Sequence, residues 1–300
     1  MSPRAGAAEA RGDVALQVEG VTLYYGGLAA LANVDLAVHY GQIDALIGPN
    51  GAGKTSLFDV VTGLTKPSRG RVMLAGEDVT RRHPAARARL GIARTFQRLE
   101  LFSSLTVREN IQVAAEAARS LGKAGARGAR ALVDDQLQRT GLASLADARV
   151  DTLSTGTGRL VELARALATE PRVLLLDEPA SGLDPSESSA LIALLTLLAA
   201  DGLAVLLVEH DVELVMATAA TLTVLDRGRV LATGDPEQVR GLPEVQAAYL
   251  GPHTSEEGPA RPLPGEGTMP RPEAEGAVPR PETVVRRGGP HVETQAEIVP

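Results

Sequence analysis

The chain has 300 residues, 44% of them hydrophobic, a formal net charge of -7 and no cysteine. That is enough for one sizeable core with a small subdomain; the acidic balance argues against a nucleic-acid partner. The absence of thiols excludes disulfides and thiolate metal sites and fits a reducing cytoplasm.

Residues 1–13 read as a disordered N-terminus, Ala- and Gly-rich and without the apolar centre of a signal peptide. β-rich runs follow at 15–18, 21–25 and 34–38. The next strand, 42–47, runs straight into a Gly-rich loop and a helix over Lys54–Thr62. A turn at 66–70 leads to a short strand, 71–75. From 105 to 145 the pattern is helical and rich in Ala and Arg, and Gly122, Gly125 and Gly128 interrupt it, which predicts separate helices joined by a loop. A helix near 158–168, the apolar strand Val173–Asp177, the helix Pro185–Ala200 and the apolar strand Ala204–Val208 complete the pattern. Continuous apolar strands alternating with helices predict a parallel sheet covered on both faces. The most apolar runs, 173–176 and 203–208, fall far short of the roughly 20 residues that cross a bilayer. Residues 252–300 hold ten of the 19 prolines, with many Gly and Glu and no apolar periodicity, and read as a disordered tail.

Two motifs carry chemistry. Gly48-Pro49-Asn50-Gly51-Ala52-Gly53-Lys54-Thr55, followed by Ser56, fits the phosphate-binding G-x-x-x-x-G-K-[ST] pattern and has the required strand before it and helix after it. Glycines let the backbone wrap a phosphate, and the loop N–H groups and the helix N-terminus hold its charge. Lys54 would reach the β- and γ-phosphates, and the Thr55 hydroxyl would ligate Mg²⁺. The second motif is Val173-Leu174-Leu175-Leu176-Asp177-Glu178-Pro179, an apolar strand ending in two carboxylates. Asp177 would hold Mg²⁺ through water, and Glu178 would act as general base on the attacking water. An apolar strand often ends in an acidic turn, so this pair gains its meaning from the loop at Gly48.

Further segments resemble the ATP-binding subunits of ABC transporters over nearly all of the chain before residue 252. Leu153-Ser154-Thr155-Gly156-Thr157-Gly158-Arg159 is similar to the family signature Leu-Ser-x-Gly-Gln, with Thr157 and Gly158 standing where glutamines are common. The resemblance implies that Ser154 and the Gly156 backbone cap the γ-phosphate held by a second subunit, so that two cassettes bury two ATP molecules. Ser154 also fits an ordinary helix N-cap, and the two roles are compatible. Gln97, in Arg94-Thr95-Phe96-Gln97, matches the family's Q-loop, which implies contact with Mg²⁺ and a link to the transmembrane partner. His210 matches the switch histidine at the γ-phosphate. Ser181-Gly182-Leu183-Asp184 matches the D-loop at the dimer face. Tyr25 matches the aromatic that stacks on adenine, with Tyr24 an adjacent competitor.

The stretch from Arg94 through Leu101-Phe102 and Leu105-Thr106-Val107 to Glu109-Asn110, together with Val245-Gln246-Ala247-Ala248-Tyr249-Leu250-Gly251, resembles the branched-chain amino acid uptake class, in the longer of its two ATPase types. The implied fold is α/β: a P-loop NTPase core with a mainly parallel sheet, an antiparallel β subdomain and an α-helical subdomain near residues 98–152, within an ATPase domain over 14–251. The implied partners are a second ATPase subunit, identical or different, transmembrane permeases, and indirectly an external binding protein. The implied location is the cytoplasmic face of the plasma membrane. Rival readings are a soluble ABC ATPase without a permease, and a P-loop kinase or GTPase; the latter has no need of the Ser154–Gly156 signature or of His210.

Overall fold

The computed structural model describes residues 13–95, 99–120 and 128–249. Gln97, Gly122, Gly125, the tail from residue 252 and all but Asp13 of the N-terminal segment lie outside the described residues.

β1 (Val14–Tyr25) and β2 (Leu28–His39) form an antiparallel hairpin closed by Gly26-Gly27. The two runs expected at 15–18 and 21–25 are one strand. Its register shifts between Val18 and Val21, where Gly20 takes φ 56° and absorbs the bulge. β2 begins well before residue 34, because the Ala-rich stretch with little strand preference of its own is held by pairing with β1. β3 (Ile43–Ile47) then leads to α1 (Lys54–Thr62). β4 (Arg69–Leu74) pairs with β1, and β5 (Glu77–Asp78) pairs with β4, giving an antiparallel sheet in the order β2-β1-β4-β5. α2 (Pro84–Leu90) and β6 (Ile92–Arg94) follow, then α3 (Val107–Ser120) and α4 (Ala129–Arg139). Two 3₁₀ turns, Ala143–Leu145 and Val150–Thr152, lead into α5 (Thr155–Leu167).

α5 starts earlier than the expected 158 because Ser154 caps it, accepting a hydrogen bond from the Thr157 N–H at 3.1 Å. β7 (Val173–Asp177), α6 (Pro185–Ala200) and β8 (Ala204–Val208) fall at their expected bounds. Beyond them stand elements not foreseen from the sequence: α7 (Val212–Thr218), β9 (Thr221–Asp226), β10 (Arg229–Gly234), α8 (Pro236–Arg240) and α9 (Pro243–Tyr249).

The second sheet runs β10-β9-β3-β8-β7-β6, parallel throughout except for β10 on the edge. Every residue of β3, β7 and β8 is buried. The two-residue period of a strand sorts them. Val173, Leu175, Leu206 and Val208 pack with Leu57, Phe58, Val60 and Val61 of α1 and the inner face of the antiparallel sheet. Leu174, Leu176, Val205 and Leu207 pack on the other face with Leu163 and Leu167 of α5 and Leu191, Leu195 and Leu198 of α6. A separate helical cluster joins Val107, Ile111 and Ala115 of α3 to Leu132, Val133 and Leu137 of α4 and Val161 and Ala164 of α5. The i, i+4, i+8 spacing on α3 is what a helix needs to present one apolar stripe.

Candidate nucleotide site

In a parallel sheet the strand ends that follow the same direction share one edge, and ligands bind there. The order β3-β8-β7-β6 therefore brings the loop after Ile47, the Glu209-His210 pair after β8, Asp177-Glu178 at the end of β7 and Arg94 at the end of β6 onto one edge.

The loop shape is imposed by close approach. A Cβ on Gly48 would lie 2.1 Å from the Leu225 carbonyl oxygen, and one on Gly53, whose φ is 108°, would lie 2.7 Å from the Ala30 carbonyl oxygen. The Ala52 N–H bonds back to the Pro49 carbonyl at 3.1 Å. No side chain caps α1 at Gly53 and no acidic residue occupies its first turn, so its leading N–H groups remain available to an anion. Lys54 is buried, and its ammonium donates to the carbonyls of Gly48 at 2.6 Å and Pro49 at 3.2 Å. Burial lowers its pKa, while the charges of Glu178 and Asp177 act to raise it.

A cavity of about 580 Å³ is lined by Asn50, Gly51, Ala52, Gly53, Lys54, Thr55 and Ser56, by Asp177 and Glu178, by Leu28, Ala29 and Ala30 of β2, and by Arg227. That volume is in the range that holds a small-molecule ligand. Arg227 was not foreseen. It sits at φ 45° in the turn from β9 to β10, and that turn is tied to the loop by the Gly228 N–H on the Ala52 carbonyl at 2.8 Å. The Asp226-Arg227-Gly228 turn signal could have revealed the hairpin, though not its place beside the loop. Tyr24 and Tyr25 are half exposed, and neither lines this cavity.

Asp177 is buried, and one carboxylate oxygen accepts from Arg94 Nη2 at 3.1 Å. Glu178 has φ 50°, a strained setting for a residue with a Cβ, and its N–H bonds to the Val208 carbonyl at 2.9 Å. Its Oε1 lies 2.6 Å from His210 Nε2, so the acidic turn and the histidine form one pair. Glu209, also unforeseen, is buried beside them and accepts from the N–H groups of Ala180 at 2.8 Å and His210 at 3.3 Å. Burial raises its pKa. A carboxyl whose folded pKa is raised contributes stability below its unfolded value and loses it as pH rises through the folded value. Wild-type protein should therefore lose stability relative to Glu209→Gln as pH climbs from the ordinary carboxylate range through the raised pKa. Paired thermal melts across pH check this, and a pH-independent difference would contradict it.

Ser154, Gly156 and Asp184 form a second group that does not line the cavity. Ser154 is exposed at the start of α5. Asp184 caps α6 in a reciprocal box: its carboxylate accepts from the Glu187 N–H at 2.8 Å, and the Glu187 carboxylate accepts from the Asp184 N–H at 3.1 Å. Gly156 is buried against Glu187, and a Cβ there would come within 2.3 Å of its carboxylate. Gly182 faces the Thr155 methyl at 3.6 Å from a built Cβ. The segment 181–184 and the start of α5 are thus packed together within one chain.

No cluster of three or more His, Cys, Asp or Glu able to hold a metal occurs among the described residues. Thr55 and Asp177 both line the cavity. One hydroxyl and one carboxylate fit a Mg²⁺ that shares its shell with phosphate oxygens and water.

A parallel sheet with a phosphate-wrapping loop, a strand-end acidic pair and a histidine against it defines a P-loop ATPase. Residues 31–181 match the ABC transporter family model, and the chain belongs to that family as an ATP-binding ATPase. It is 39% identical over 248 residues to the high-affinity branched-chain amino acid transport ATP-binding protein BraF of Pseudomonas aeruginosa, spanning 79% of this chain and 97% of that protein. The same identity and coverage hold for the high-affinity branched-chain amino acid transport ATP-binding protein LivG of Escherichia coli K12. Among solved structures, the ADP conformation of MJ1267, an ATP-binding cassette of an ABC transporter, is similar with a TM-score of 0.72 and 31% identity, covering 80% of this chain and 99% of that one. The matches span nearly the full length of these relatives, so the likeness is to whole cassettes.

Proposed function

We propose that the chain is the ATP-hydrolysing subunit of an importer for branched-chain or other amino acids, working as one of a pair of cassettes, identical or different. One observation carries this: Ser154, Gly156 and Asp184 stand apart from the cavity that Asn50 to Ser56, Asp177 and Glu178 line, as a site divided between subunits requires. Lys54 and the loop N–H groups from Gly48 to Ser56 bind the triphosphate. Asp177, Thr55 and Gln97 would hold the Mg²⁺, which would shield phosphate charge. Glu178 accepts the proton of the attacking water, and His210, 2.6 Å from its carboxylate, fixes its orientation and contacts the γ-phosphate. Tyr25 stacks on adenine, approaching from the hairpin whose β2 strand lines the cavity. Ser154, Gly156 and Asp184 serve the partner's nucleotide across the shared face. ATP binding closes the pair, and hydrolysis opens it.

The ATPase domain is read as 14–251, with its helical subdomain near 98–152 and disordered segments on either side. Permeases need a docking surface. A second cavity of about 380 Å³, lined by Leu64, Ala93, Ala114, Ala117 and Arg165 among others, lies between α1, α2, α3 and α5. Leu64 stands exposed in its lining, an apolar setting that favours protein contact. No described helix is long and apolar enough to cross a membrane. In this reading the spanning helices belong to partner permeases, with this subunit on the cytoplasmic face of the plasma membrane and the external binding protein acting only through the permeases. Purification in detergent from the membranes of its native host should retain this chain with polytopic membrane proteins. Its ATPase activity should then rise when the binding protein and its amino acid are added. Recovery free of any membrane protein would favour a soluble ABC ATPase instead.

A further inference from the structure

β6 ends on Arg94, whose side chain is 8% exposed. Its guanidinium spans two carboxylates: Nη1 lies 2.7 Å from Asp59 on α1, and Nη2 lies 3.1 Å from Asp177 at the end of β7. The same group lies over the Phe58 ring, 5.3 Å from its centroid. Three elements thus meet on one cation: the strand that leads to Gln97, the helix that follows the phosphate loop, and the strand that carries the acidic pair. The Asp177 side chain is 10% exposed, and a carboxylate so buried requires a compensating positive charge. Arg94 supplies it, its Nη1 and Nη2 serving the two acids at once. A divalent cation held by Asp177 would therefore meet a carboxylate whose charge is already shared with a guanidinium 3.1 Å away, and like charges repel.

We propose that Arg94 is a positioning residue that competes with the divalent cation for Asp177 and so sets the Mg²⁺ concentration at which the nucleotide site loads. This rests on the reading of Asp177 as part of the metal environment. The guanidinium would disfavour a bare divalent cation at Asp177, and the negative charge of a triphosphate would offset that repulsion. The bond to Asp59 keeps Arg94 in place when Asp177 turns to the metal, so the strand before Gln97 and the phosphate-loop helix stay tied to the event.

The test is calorimetric binding of AMP-PNP to the full chain at stepped free Mg²⁺. Arg94→Met should lower the half-saturating Mg²⁺ about threefold or more, with affinity in EDTA changed less than about twofold. Arg94→Lys, which keeps the charge, should restore the wild-type Mg²⁺ dependence. Asp59→Asn keeps the arginine and removes its competing carboxylate, and should raise the half-saturating Mg²⁺ about twofold or more. An unchanged or higher value for Arg94→Met, or a lower one for Asp59→Asn, overturns the proposal. A wild-type protein whose AMP-PNP affinity ignores Mg²⁺ points to failure of the metal reading itself. A Mg²⁺-responsive wild type with Arg94→Met superimposed on it points to failure of the Arg94 inference alone.

Discussion

Lys54→Ala should bind ATP at least about 100-fold more weakly and hydrolyse it correspondingly slowly, while its melting temperature without nucleotide falls little. The Lys54 side chain is buried, burial works against its charge, and its ammonium donates to two carbonyls of its own loop. Lys54 itself lines the cavity, so truncating its side chain opens room for water to reach those carbonyls, and the fold loses little. The ligand loses a charge-assisted contact in a place with few competing dipoles, where such contacts are worth most. Titration calorimetry and a phosphate-release assay measure the two effects. ATP affinity within about threefold of wild type would show that this loop is not the triphosphate site.

Glu178→Gln should reduce hydrolysis about 10²- to 10⁴-fold while leaving ATP binding nearly intact. Glutamine keeps the size of the side chain, and its amide can still pair with His210, which lies 2.6 Å from the carboxylate. What it loses is the ability to take a proton from water. The backbone setting at φ 50° is equally strained for both residues, so the substitution does not change the cost of holding the turn. Phosphate release in a single turnover separates this from a binding defect. A rate within about tenfold of wild type would move the base role to another group, with His210 the neighbour in reach.

Much of the candidate site was legible in the sequence because the chemistry proposed for it demands particular residue types at fixed spacing. Gly48 to Thr55 could be read without any fold, since glycine, lysine and a hydroxyl each have a separate task. The α/β class was legible from β7 and β8, whose burial on both faces leaves continuous apolar runs. The losses have physical causes too. β9 and β10 carry polar threonines and an edge position, and so lack that run; Thr223 and Thr233 face each other with hydroxyls 3.1 Å apart. α2 and β6 are seven and three residues long, too short for a period to emerge. The Arg94 bridge joins positions 59, 94 and 177, and no local pattern ties residues so far apart. Glu209 was passed over beside its functional-looking neighbour His210, because only the fold shows that its carboxylate holds the Ala180 and His210 backbone. Gly156 shows the converse. Its resemblance to the signature pointed to a partner's phosphate, while within the chain it also makes room for Glu187.

The central claim is that this chain holds one half of each site and needs a second cassette to complete it. The most direct measurement is the solution mass of Glu178→Gln protein by light scattering, first with ATP and Mg²⁺ and then with ADP. With ATP a pair is expected, two 31.2 kDa chains or one such chain with a companion ATPase subunit supplied to it, and with ADP single chains. A single-chain mass with ATP demonstrably bound, both alone and with the companion subunit present, would contradict the divided site.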